Sequence, residues 1–181
     1  MKKKIIWITR TAVVLALLVT VQTLTKPFGQ LVTGSCVNLV LALCVLLAGL
    51  PCGLTVALVS PVLAFLLGIA PQLLTVPAIM AGNSAYVLLL YGLADRSGKR
   101  LWRQVVAWLV SAVGKFAVLY GVVAGLICGV LAQQLLASGA LKPAMLQVLP
   151  VTFGTAQLFT AMIGGAVAQI VFPLLRKAIR R

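Results

Sequence analysis

The chain has 181 residues, of which 62% are hydrophobic and 9% charged; soluble domains carry about 25% charged residues. At this size too much surface remains for so many apolar side chains to be hidden inside, so a soluble globule is excluded and lipid must supply the missing solvent. Fifteen Lys and Arg face one acid, Asp95, for a net charge of +14, but the cations cluster between apolar runs, so no nucleic acid partner is expected.

The first element combines Lys2–Lys4 with an apolar run from Ile5 to Leu24. It imitates a signal peptide, but no small-x-small cleavage pattern follows, so an uncleaved first transmembrane helix over about Ile8–Leu24 is expected. Thr25 to Gln30 breaks it, and a second helix follows from about Ser35 to Leu50. Gly49-Leu50-Pro51-Cys52-Gly53 reads as a tight turn. The third helix, about Leu54–Gly68, is short and contains Ser60-Pro61, so a kink or tilt is expected. The fourth runs from about Leu73 to Leu93 and ends in a basic loop, Asp95 to Arg103. The fifth, about Gln104–Leu136, is long enough to project beyond the hydrocarbon. Ser138 to Pro150 is an outer connection, and the sixth helix ends in the basic tail.

Twelve of the fifteen cations lie in the two terminal segments and the central loop, against Lys26 and Lys142 in the alternate loops. That asymmetry predicts both termini in the cytoplasm and an even number of crossings. The expected fold is an all-α integral membrane protein, a single domain over residues 1–181 with a bundle of six transmembrane helices. A membrane β-barrel is excluded, because its strands alternate polar and apolar residues.

No catalytic constellation is present. Asp95 has no second carboxylate for paired acid/base work, and without histidine no Ser-His or Cys-His nucleophile can form. There is no phosphate-binding loop of the GxxxxGK[ST] type. The chain therefore reads as no enzyme and needs no cofactor; nucleotide energy would have to come from another subunit. Cys36, Cys44, Cys52 and Cys128 lie in or beside apolar stretches without a CxxC pair. They read as small buried hydrophobes rather than as metal ligands or a disulfide framework.

Two features rise above this background. Small residues recur at four-residue spacing: Ala12 and Ala16 in helix one, Gly121, Gly125 and Gly129 in helix five, Ala161 and Gly165 in helix six. Such spacing lets helices approach closely. For helices five and six internal packing is expected; for Ala12 and Ala16 packing and docking are balanced. The second feature is a set of polar residues in apolar segments, Gln22, Asn38, Asn83, Lys115 and Gln157. Lys115 lies roughly 16 Å along helix five, near the midplane. Asn83 is expected at similar depth, with Asn38, Gln157 and Gln22 nearer the outer side. A lysine there costs about 2.5–3.5 kcal/mol even on the lenient insertion scale. No acid is available in the membrane, so backbone carbonyls, the amides or an anionic ligand must partner it.

Across its length the chain resembles the substrate-binding (S) subunits of energy-coupling factor transporters. The resemblance rests on size, on six helices with both ends inside and on Ala12-Val13-Val14-Leu15-Ala16. It rests further on Gly34-Ser35-Cys36-Val37-Asn38-Leu39, Ser60-Pro61, Gly82-Asn83, Gly114-Lys115-Phe116 and Gln157-Leu158-Phe159-Thr160-Ala161. It implies a subunit of the bacterial plasma membrane that captures a vitamin-like small molecule from outside, in a pocket near the outer face capped by loops. The subunit then topples to release it inside when docked, through Ala12 and Ala16, on a transmembrane coupling subunit with a pair of ATPase subunits. Residues Thr25–Gly34 would form the gate, with Gln30 in it and Gly29 and Gly34 giving it flexibility. Members that take nickel or cobalt use an N-terminal histidine; this chain has none, so a metal substrate is not expected. Few aromatics lie away from the helix ends, which disfavours a flavin or thiamine. A stand-alone secondary carrier or channel using Lys115, or a membrane scaffold without ligand, remain as alternatives.

Overall fold

In the computed structural model, residues 2–69, 72–95 and 100–179 are described, with side chains from Lys4 onward. Arg96, Lys99, Arg180 and Arg181 of the basic clusters, and Ala70-Pro71 of the third turn, lie outside the described residues. Among the described residues the chain is helical throughout, with no strand. The helices are α1 (Lys2–Thr25), α2 (Gln30–Ala48), α3 (Leu50–Leu66), α4 (Val76–Leu93), α5 (Leu101–Tyr120), α6 (Ala132–Ala137), α7 (Met145–Phe153) and α8 (Thr155–Ile179).

Among the described residues, five spans are long and apolar enough to cross a membrane: Lys4–Phe28, Gln30–Ala48, Leu73–Leu93, Leu101–Val130 and Met145–Ile179. Large apolar side chains such as Val13, Leu58, Leu88, Val113 and Ile170 cover the outside of the bundle. A surface of this kind is a liability in water and suits hydrocarbon. The chain is thus an all-α, multi-pass membrane protein. α3, with 17 residues, spans roughly 25 Å at 1.5 Å per residue, slightly less than the roughly 30 Å hydrocarbon core.

The turns follow the glycine and proline punctuation. Gly29 (φ 85°, ψ 175°) and Gly49 (φ 90°, ψ 176°) each open the next helix in a backbone region essentially reserved for glycine. α2 begins at Gln30, five residues earlier than expected, because a short 3₁₀ turn over Lys26–Phe28 reverses the chain at once. α3 continues through Pro61. Its C-terminus closes on Gly68, whose N–H donates to Phe65 O while Ile69 N–H donates to Ala64 O. The Lys26 ammonium donates to Gly68 O at 2.7 Å, pinning the α1–α2 turn to the end of α3. Gln72 reaches Met145 Sδ at the start of α7 (2.8 Å), so these connections gather at one end of the bundle.

The long fifth helix is not regular. After Tyr120 the chain widens into a π-helical stretch, Gly121–Val130, and then turns into α6. Three of those ten residues are glycine, which is a poor α-former with no side chain to hold the α pitch. Gly121, Gly125 and Gly129 are exposed, against the expectation of internal packing. The outer connection is also partly helical: Met145–Phe153 forms α7, and a break at Gly154 separates it from α8.

Packing is tightest where α2 crosses α8. A Cβ on Gly164 would strike Ser35 O, Asn38 Cβ and Leu39 N, and one on Gly34 would strike the Thr160 side chain. The missing side chains let the two backbones meet. Ala161 and Gly165 are buried here, Gly165 against Trp108 of α5. α4 and α5 pair similarly, Gly82 receiving Leu119 and Gly114 receiving Leu89. Cys44 and Cys52 are buried free thiols with sulfurs 3.3 Å apart, while Cys36 and Cys128 are half-buried.

Candidate functional site

Along most of these helices a hydroxyl is satisfied by its own backbone. Thr11, Thr23, Thr25, Ser35, Thr55 and Ser111 each donate to the carbonyl four residues back, a common habit of Ser and Thr in apolar helices. A group of polar atoms behaves differently. Gln22 Oε1, Thr33 Oγ1, Ser60 Oγ and Asn83 Nδ2 are buried and have no hydrogen-bond partner among the described residues. All four residues face one cavity of about 120 Å³. Buried polar groups without partners are costly, and these four converge on one cavity.

α1 contributes Gln22 to this cavity and α2 contributes Gln30, Thr33, Gly34 and Val37. α3 adds Ser60, Pro61 and Ala64, and α4 adds Ile79 and Asn83. Lys115 enters from α5, Thr152 and Phe153 from α7 and Gln157 from α8. These are the first turns of α2, α4 and α8 and the last turns of α1, α3 and α5. The cavity therefore lies toward the end of the bundle tied by Lys26 and Gln72.

Lys115 is 2% exposed, yet faces no carboxylate among the described residues. Its ammonium donates to Asn38 Oδ1 at 2.6 Å and to Asn83 Oδ1 at 2.8 Å. The face of Tyr86 lies 5.9 Å away, within reach of a cation–π attraction. Asn38 is held by its own donors: Nδ2 donates to Gly34 O (2.9 Å) and to Thr160 Oγ1 (3.2 Å), and Thr160 Oγ1 donates to Gln157 O (3.0 Å). The network therefore runs α5 to α2 to α8 and orients one amide completely. Asn83 is left with its Nδ2 donors unused, and Lys115 with one of its three. The ammonium, which faces no carboxylate among the described residues, and the unpaired amide N–H₂ make this part of the cavity an acceptor-seeking surface.

The polar residues singled out by sequence thus meet. Lys115 and Asn83 share a layer as expected, and Gln22 and Gln157 line the same cavity. Asn38 corrects the expected depth: because α2 starts at Gln30, Asn38 lies roughly 12 Å down the helix, in the layer of Lys115 rather than nearer the outer side. The expected gating loop also changes. Gly29 stays in the turn, but Gln30 and Gly34 are helical. Gly34 serves the close approach to Thr160, so flexibility at that position is replaced by packing. Thr33, Ser60, Thr152 and Phe153 also line the cavity, a place the sequence does not assign to them; no pattern distinguishes the hydroxyls of Thr33 and Ser60 from those that bond their own backbone. Ala12 and Ala16 lie apart from the cavity, on the exposed side of α1, which packs inward through Thr11, Leu18 and Gln22.

Comparison of the chain with family models, curated proteins and solved structures finds no match. The site has to be read from its own chemistry. Its polar groups can bind and orient an acceptor-rich molecule; among the lining residues none is an acid or a histidine.

Proposed function

We propose that this protein is the substrate-capturing subunit of a bacterial importer of the energy-coupling factor type, taking up a small anionic micronutrient. The observation that carries the reading is Lys115 at the cavity floor, paired with neutral amides alone and flanked by the unused donors of Asn83. An anion entering there replaces hydration lost on burial with charge-assisted hydrogen bonds. In this reading α3 is the sixth crossing, both termini are cytoplasmic and the cavity opens outward. Capture is its task, without catalysis or cofactor, and a coupling subunit with two ATPases supplies the energy. The exposed Ala12 and Ala16 give a smooth strip on α1 for that partner.

The topology is tested with reporter fusions. Fusions after Arg100 and at Arg181 are expected to report cytoplasm, and those at Gln30 and Lys142 the outside. Opposite signals at 100 and 181 require an odd number of crossings and defeat the arrangement. Docking is tested by Ala16→Trp, which thickens the strip without reaching the cavity. Ligand binding is expected to persist while cellular uptake is lost. Normal uptake at normal expression removes the docking role. A stand-alone carrier, by contrast, transports after reconstitution alone, with no ATPase added.

A further inference from the structure

We infer that the ligand of this cavity is a short aliphatic monocarboxylate bearing a hydroxyl or amide group along its chain. This rests on the anion-capture reading above and narrows it. Among the described residues, Lys115 is the one charged residue on the cavity wall. A dianion, such as a dicarboxylate or a phosphate monoester, would bring a second charge that nothing there neutralises, which buried sites resist strongly. One wall residue, Phe153, is aromatic, so a flat ring would lack the paired faces that aromatic ligands favour. The volume, about 120 Å³, is well below the range of roughly 300–1,000 Å³ common for pockets of drug-sized ligands. The guest is therefore small.

The position of the orphaned atoms sets the rest. With the carboxylate taken by Lys115 and Asn83, the unpartnered atoms of Gln22, Thr33 and Ser60 remain on other walls, each residue at most 8% exposed. They sit on α1, α2 and α3, whereas Asn83 and Lys115 sit on α4 and α5. A purely aliphatic acid would leave all three unsatisfied; a hydroxyl or amide on the ligand's chain gives them a partner. A hydrogen-bonding site of this kind discriminates strongly against the analogue lacking the group.

The test is isothermal titration of the full chain in lipid nanodiscs with 4-hydroxybutyrate, butyrate, succinate, benzoate and inorganic phosphate. We expect 4-hydroxybutyrate to bind at least about tenfold more tightly than butyrate, and succinate, benzoate and phosphate not to bind measurably. The preference over butyrate is expected to vanish in the double variant Thr33→Val with Ser60→Ala, whose unchanged thermal midpoint shows that it folds. Lys115→Met is expected to lose both monocarboxylates. If butyrate equals 4-hydroxybutyrate, or succinate, benzoate or phosphate binds best, and that binding needs Lys115, the narrowing is overturned while anion capture stands. If no member of the panel binds, or binding ignores Lys115→Met, the narrowing and the capture reading both fall.

Discussion

Lys115→Met is expected to abolish retention of an anionic ligand while leaving a folded bundle. The affinity loss is on the order of 2–5 kcal/mol, or roughly 30- to 5,000-fold, because the ligand's charge loses its counter-charge in a low-dielectric site. Two stability effects oppose one another. Removing a buried ammonium relieves a penalty of about 2.5–3.5 kcal/mol on the lenient insertion scale. Against it, Asn38 Oδ1 and Asn83 Oδ1 each lose a donor, at about 1–3 kcal/mol apiece. Methionine keeps the stem and fills the space, so the thermal midpoint is expected to stay close to that of the parent. Thermal unfolding and ligand titration on the same preparation check both halves. Binding that survives while stability collapses would make Lys115 a structural strut between α2, α4 and α5.

The second large effect concerns the α2–α8 crossing. Gly164→Leu is expected to destabilise by at least the roughly 1–3 kcal/mol of core overpacking. The atoms that its side chain meets are Ser35 O and Leu39 N, which belong to backbone and cannot rotate away. Since Asn38 belongs to the same stretch of α2, the shift also misplaces the amide that orients Lys115, so ligand affinity falls with stability. Gly125→Ala is the matched control: nothing lies within 4 Å of a Cβ there. It is expected to leave ligand affinity unchanged and to raise stability slightly, since alanine is the better helix former. Denaturation in a common detergent distinguishes the two; equal behaviour of the pair would refute the close crossing.

The contrast between those glycines shows what could be read from the sequence and what could not. Small residues at four-residue spacing are visible in both helices five and six, but spacing says nothing about which face a neighbour covers. In α8 the stripe meets α2 and Trp108; in the π-helical stretch it faces outward. The membrane helices themselves were legible because apolar run length is a direct consequence of bilayer thickness. Their irregularities were not: the widening at Gly121–Val130 and the break at Gly154 follow from backbone choices that hydropathy does not encode.

The site divides in the same way. Lys115 stood out because a charge within an apolar run is expensive wherever it falls, and Asn83 followed from helix geometry. Asn38 was misplaced by the error in a single boundary, since moving the start of α2 from Ser35 to Gln30 lowers it by roughly 7.5 Å at 1.5 Å per residue. Thr33 and Ser60 do not stand out in the sequence as cavity residues, because hydroxyls within apolar helices ordinarily bond to the preceding turn. Their failure to do so is a property of packing, visible only in three dimensions.

Whether a small anion sits on Lys115 is read by native mass spectrometry of the protein released gently from membranes. A single extra mass is expected on the wild-type chain, recovered on denaturation as one small monoanionic molecule, and is expected to be absent from Lys115→Met prepared in parallel. A bare chain in both samples after purification from cells grown on rich medium, or the same bound mass in both, would contradict it.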